Sequence, residues 1–172
     1  MSASKTEIRI LTSSDVDRNK WDTCVLSDRR ALIYTQYWYL DCMAERWYGL
    51  VVNDYESVLA LPVKIIAGLK CVYLPAFFQR LELAGATSEA IKREMQVKID
   101  SFSRLITLNT ADEFLFKFPF EKRRTNYILN INRPYAEIET EFTRECKKNI
   151  RKAVNRNCYF TEDVNVHDVI TF

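Results

Sequence analysis

The chain has 172 residues, 48% hydrophobic and 28% charged, with only three glycines and four prolines. That balance excludes disordered and collagen-like chains and allows one domain with a real core. Its net charge of +2 names no partner, and its single histidine, His167, excludes a His-rich metal site and a two-histidine mechanism.

The distribution of charge says more than its sum. Between Lys117 and Arg156 eleven Lys and Arg face five Glu, a local +6 on a mildly acidic body. Ten Phe, nine Tyr and three Trp suit either a large core or an aromatic-lined groove. The opening MSASKTEIRIL lacks an apolar stretch of signal-peptide length, and no window approaches the roughly 18 apolar residues of a membrane span. Five cysteines (24, 42, 71, 146, 158), an odd number without a CxxC pair, read as free and mostly buried thiols in a reducing cytoplasm.

EIRIL (7–11) predicts a first strand. A helix follows over 13–26, with Ser14 or Asp15 as cap and Val16, Trp21 and Val25 on one face. A second short helix is predicted over 34–44. WYGLVV (47–52), the polar turn NDYE (53–56) and SVLALPVKII (57–66) form a hairpin. Its second strand is nearly all apolar, which predicts cover on both faces, with a bulge or broken ladder at Pro62.

CVYLP (71–75) and FQRLELA (78–84) read as further strands. Ser88 then caps a helix bearing Ile91, Met95, Ile99, Phe102 and Ile106 at helical spacing through about Thr107. EFLFKF (113–118) and TNYILNI (125–131) predict a strand pair, and a helical stretch opens at Pro134. A basic helix is expected over about 140–155, then a short strand at 158–162 and the start of another helix. The order describes an α+β protein with a mostly antiparallel central sheet flanked by helices.

That order resembles the acyl-CoA N-acyltransferase (GNAT) fold. The local sequence resembles the N-terminal half of Fem-type proteins and their GNAT-like bacterial relatives. The residues that carry the likeness are Trp21-Asp22, YWYLD (37–41), LALPVK (59–64), YLPAFFQRL (73–81), RTNYILNI (124–131) and RECKKNIRKA (144–153). The resemblance implies a lobe over 1–157, with 158–172 as a tail or the start of a second lobe. It also implies transfer of an acyl group from acyl-CoA, or an aminoacyl group from charged tRNA, to an amine. The partners it implies are that donor and either a second lobe or a second copy of the chain. A lobe alone is expected to be catalytically incomplete, with no catalytic residue assigned.

In such folds a glycine-rich loop ahead of a helix presents N–H groups to the CoA pyrophosphate. The equivalent stretch here is ELAGAT, with Glu82, Gly85 and Thr87. Gly85 fits, but Glu82 and the first-turn Glu89 oppose an anion. The stretch therefore reads as a degenerate cofactor loop, a structural turn that binds no cofactor.

The basic helix places Cys146, Ile150 and Ala153, with Phe142, on one side. Arg144, Lys147, Lys148, Arg151 and Lys152 fan over the other. Its apolar stripe is expected to face the core. The cations have two readings: a solvated face, or a contact for the phosphates of tRNA or of a nucleotide-bearing substrate. Tyr73, Phe77, Phe78 and Gln79, with Arg124 and Asn126, are candidates to line a substrate groove, against the alternative that the rings are core. Asp41, Glu45 and Glu82 are the possible bases. A polyanion-binding module and a degenerate lobe that dimerises are the rival functions.

Overall fold

The computed structural model describes residues 6–111, 122, 124–125 and 128–160. They fall into two units, one ending at Lys122 and one starting at Arg123. The first contains β1 (Ile8–Thr12), α1 (Arg18–Ser27), α2 (Tyr37–Met43), β2 (Trp47–Val52), β3 (Ser57–Ile66), β4 (Leu69–Tyr73), β5 (Ala84–Gly85), α3 (Glu89–Phe102) and β6 (Leu105–Thr107). The second contains α4 (Tyr135–Thr140) and α5 (Arg144–Asn155). The class is α+β with a mixed six-stranded sheet.

Sheet order is β1-β2-β3-β4-β6, and the two-residue β5 pairs with the start of β3. Every pairing is antiparallel except β4 with β6, which are parallel and joined across α3. The helical period predicts a helix through Thr107, but α3 ends at Phe102 and 105–107 form this parallel strand instead. Its three residues are too few to show a period.

β3 is covered on both faces, as its composition predicts. Val58 and Ala60 join a core with Trp21, Leu40 and Trp47 under α1 and α2. Leu59, Leu61 and Val63 join a second core with Met95 and Ile99 of α3. The expected bulge at Pro62 does not form. Pro62 pairs in register with Trp47, and the next residue, Val63, donates its N–H to Arg46 O at 2.8 Å. The N–H that proline lacks therefore falls on the opposite edge. There the β4 ladder begins only at Val63 and β5 reaches only Val58, so no bond is lost. A two-residue turn, Ala67-Gly68 with both φ positive, closes the β3–β4 hairpin.

The first two helices are anchored by the Trp21-Asp22 pair. Trp21 is fully buried and donates Nε1–H to Thr35 O at 2.8 Å. Asp22 accepts from the Tyr37 N–H at 2.9 Å, serving the first turn of α2. Gly49 of β2 leaves room for the indole, since a Cβ there would lie 2.7 Å from Trp21 Cζ3. The cap of α1 is Asp17, which accepts from Lys20 N, rather than Ser14 or Asp15; those two lie in a separate 3-10 turn.

Four other expectations are corrected. Residues 78–83 form no strand. Thr125 and 128–131 carry no strand, nor do 158–160, while the remaining residues of those stretches and 113–118 lie outside the described residues. The basic helix starts at Arg144, because Thr143 takes an extended conformation and caps it. Of the five cysteines, Cys24 and Cys71 are buried, Cys146 is half-buried, and Cys42 and Cys158 are exposed. Among the described residues no helix is long and apolar enough to cross a membrane.

Candidate functional site

The chain leaves β4 at Tyr73 and reaches α3 only at Glu89, and this connection holds Phe77, Phe78, Gln79, Glu82, Gly85 and Thr87 of the sequence-predicted site residues. Phe77 breaks any strand there. Its φ of +65° is unfavourable for a bulky residue, and Tyr39 steadies the turn by donating its hydroxyl to Phe77 O at 3.0 Å. The Phe77 ring is 80% exposed, whereas Phe78 is buried between Tyr34 and Tyr39, at 5.7 and 5.2 Å between ring centroids. Gln79 is exposed, and its carbonyl accepts from Asn109 Nδ2 at 3.2 Å. Tyr73 sits elsewhere, beneath the ammonium of Lys64. The four residues do not line one groove: Phe78 is core, Phe77 is displayed and Tyr73 faces another recess.

Arg124 is exposed and belongs to the second unit, and Asn126 lies outside the described residues. Two of the possible bases have structural work. Asp41 accepts from Trp47 Nε1 at 2.7 Å. Glu82 is buried and lies 2.7 Å from Arg80 Nε, a close ion pair without hydrogen-bond alignment. Glu45 is exposed.

Gly85, in the ELAGAT stretch, is tightly enclosed and its N–H already has a partner. Its φ is +88°, and an added Cβ would lie 2.2 Å from Glu56 O and 3.0 Å from Cys24 Sγ. Its N–H donates to Asp28 Oδ2 at 3.1 Å. The chain's own carboxylate thus occupies the donor that a pyrophosphate needs. Arg30 pairs with the same Asp28 oxygen at 2.8 Å, and this pairing, with the Gly85 N–H, holds the Asp28 carboxyl below its usual range. Burial of Cys24 beside Asp28 pushes that thiol up, away from a reactive thiolate.

Beside Glu82 and Glu89, the acidic residues of the sequence reading, the structure adds Asp28, 57 positions from its partner Gly85, a separation no local pattern reveals. At the start of α3, Ser88 accepts from Ile91 N, and Thr87 presents a buried hydroxyl with no hydrogen-bond partner among the described residues.

In the second unit, α5 has no buried residue, so its apolar stripe does not form part of a core. Ile150 and Val154 are both exposed, as are Arg144, Lys148, Arg151 and Lys152. Lys147 is half-buried, with its ammonium 3.4 Å from Thr140 O. Lys148 lies 3.6 Å from Glu145, both in solvent, an ion pair of small energetic weight. The lead-in is braced by Arg133, whose two terminal nitrogens each meet a Glu141 oxygen at 2.5 Å, lowering the Glu141 carboxyl. Five cations on three turns give this helix a concentrated positive face.

Among the described residues no group of three or more His, Cys, Asp or Glu is arranged to hold a metal ion. Comparison with family models, with curated proteins and with solved structures finds no match to this chain.

Proposed function

We propose that this chain is the N-terminal lobe of an N-acyltransferase of GNAT or Fem type. It passes an acyl or aminoacyl group, from a thioester or a charged tRNA, to an amine. In this reading the lobe engages the donor and does not complete the chemistry alone. The observation that carries the proposal is the order of elements. A strand, two helices, three antiparallel strands, the two-residue β5, a helix and a strand parallel to β4 resemble the order of the GNAT fold.

The Asp28–Gly85 contact argues that donor phosphates are not held ahead of α3. The exposed cations of α5 are the alternative, which favours charged tRNA as donor. Acyl transfer to an amine rests mainly on positioning, so a lobe whose contribution is to hold the donor is chemically reasonable.

Aminoacyl-tRNA binding, measured by fluorescence anisotropy across a salt series, tests this. Charged tRNA binds more tightly than uncharged, and log K falls steeply with log salt. Lys148→Glu with Arg151→Glu reduces that slope by about 2. Acyl-CoA leaves the melting temperature unchanged. Equal affinity for charged tRNA, uncharged tRNA and homopolymeric RNA overturns the transferase reading in favour of a polyanion-binding module. The exposure of α5 is the observation that keeps this second reading in play.

A further inference from the structure

The two faces of the sheet are unequally covered. On the face that carries Val58 and Ala60, α1 and α2 lie over β2 and the start of β3. Alternation along β3 places Lys64 and Ile66 on this same face, past the helices. Register sets Cys71 opposite Lys64 and Leu69 opposite Ile66, and the parallel ladder adds Leu105 beside Cys71 and Thr107 beside Tyr73. Ile66, Leu69 and Leu105 are all exposed. The surface forms a recess of about 200 Å³ whose walls include Lys64, Ile66, Cys71, Tyr73, Leu105 and Thr107.

Lys64 stands out within it. The side chain is half-buried, its ammonium lies 4.8 Å from the Tyr73 ring centroid, and among the described residues no carboxylate forms an ion pair with it. A cation held over a ring face above an apolar floor is partly desolvated, so a single counter-charge entering the recess meets it in a medium of low dielectric.

We propose that this recess binds a small aliphatic carboxylate, with its head on Lys64 and Thr107 and its tail against Ile66 and Leu105. Three features select that chemistry. One ammonium and one hydroxyl satisfy a monoanion but leave a phosphate dianion short of donors. The walls are otherwise mainly apolar and exclude a strongly hydrated tail. A recess of about 200 Å³ has room for a short aliphatic acid such as pentanoate or hexanoate. An amine is excluded by the charge of Lys64. The assignment does not depend on α5 or on the proposed donor.

Titration of the full chain with hexanoate, followed by NMR of the isoleucine and leucine methyl groups, tests it. Hexanoate shifts the Ile66 and Leu105 methyls with a dissociation constant on the order of 1 mM. Lys64→Met, which keeps the apolar stem, weakens this at least about tenfold and leaves the weaker binding of hexanol unchanged. Lys64→Gln does the same if the methionine variant misfolds. Leu105→Trp fills the recess and abolishes both. Hexanoate binding that survives loss of the ammonium, hexanol binding as tight as hexanoate, or shifts confined to other methyls each overturns the proposal. Unchanged tRNA binding by the Lys64 variants separates this result from failure of the polyanion contact.

Discussion

The helices α3 and α5 begin alike and end in different circumstances. Each opens on a hydroxyl cap, Ser88 or Thr143, that accepts from the N–H three residues on, and each has a glutamate in its first turn. α5 separates its apolar and charged sides the more sharply of the two. Yet Met95 and Ile99 of α3 are 0% exposed, while α5 buries nothing. Amphipathic pattern tells which side of a helix can be buried. Whether it is buried depends on an apolar surface of matching shape, and for α3 that is the Leu59–Leu61–Val63 face of β3.

Their lead-ins differ in the same way. The approach to α3 is locked by a buried carboxylate on a backbone N–H of Gly85, whereas the approach to α5 is braced by the Arg133–Glu141 pair in solvent.

The largest effect is expected at Gly85. Gly85→Ala combines a left-handed backbone with a Cβ driven into Glu56 O, and should destabilise the first unit by more than about 3 kcal/mol in urea denaturation. A wild-type midpoint in that variant shows that the lead-in to α3 is no more constrained than that of α5.

Next is a matched truncation. Met95→Ala should cost about 2–5 kcal/mol, as deletions in a filled core do. Ile150→Ala, at a position already 36% exposed, should stay within about 0.5 kcal/mol. Comparable losses from the two variants end the contrast between the helices.

The smallest effect is in acid. The Asp28 carboxyl is held below its ordinary value, so the stability it contributes is complete above the ordinary aspartate pKa of about 3.9. It is lost as pH falls from there through the folded value. Asp28→Asn should flatten the pH dependence of the melting temperature below about pH 4. Glu141→Gln should flatten it less, because the carboxylate of that pair is more exposed and more screened. Greater flattening by Glu141→Gln instead puts the anchored lead-in on α5.

Much of the first unit was legible beforehand. The hairpin, the double cover of β3 and the Ser88 cap follow from a run of apolar residues, a polar turn and a hydroxyl before a helical period. FQRLELA misled because Phe78, Leu81 and Leu83 are buried without forming a ladder. Tyr39 and Asn109, distant in sequence, take the backbone bonds there instead.

The candidate site was less legible. Tyr73, Phe77, Phe78 and Gln79 are neighbours in the chain and were grouped for that reason, but the left-handed turn at Phe77 sends them to different surroundings. Lys64 carries one signal: a lone cation within the apolar run of β3.

Local composition and period determined which segments become strands and helices, which of their sides are apolar and where the positive charge gathers. Those properties act over a few residues and need no partner. Tertiary structure alone decided that Asp28 fills the donor position at Gly85, that β6 runs parallel to β4 and that Lys64 stands over Tyr73. The first two join residues far apart in sequence and the third needs the register of a hairpin, and such pairs meet only once the strands have paired.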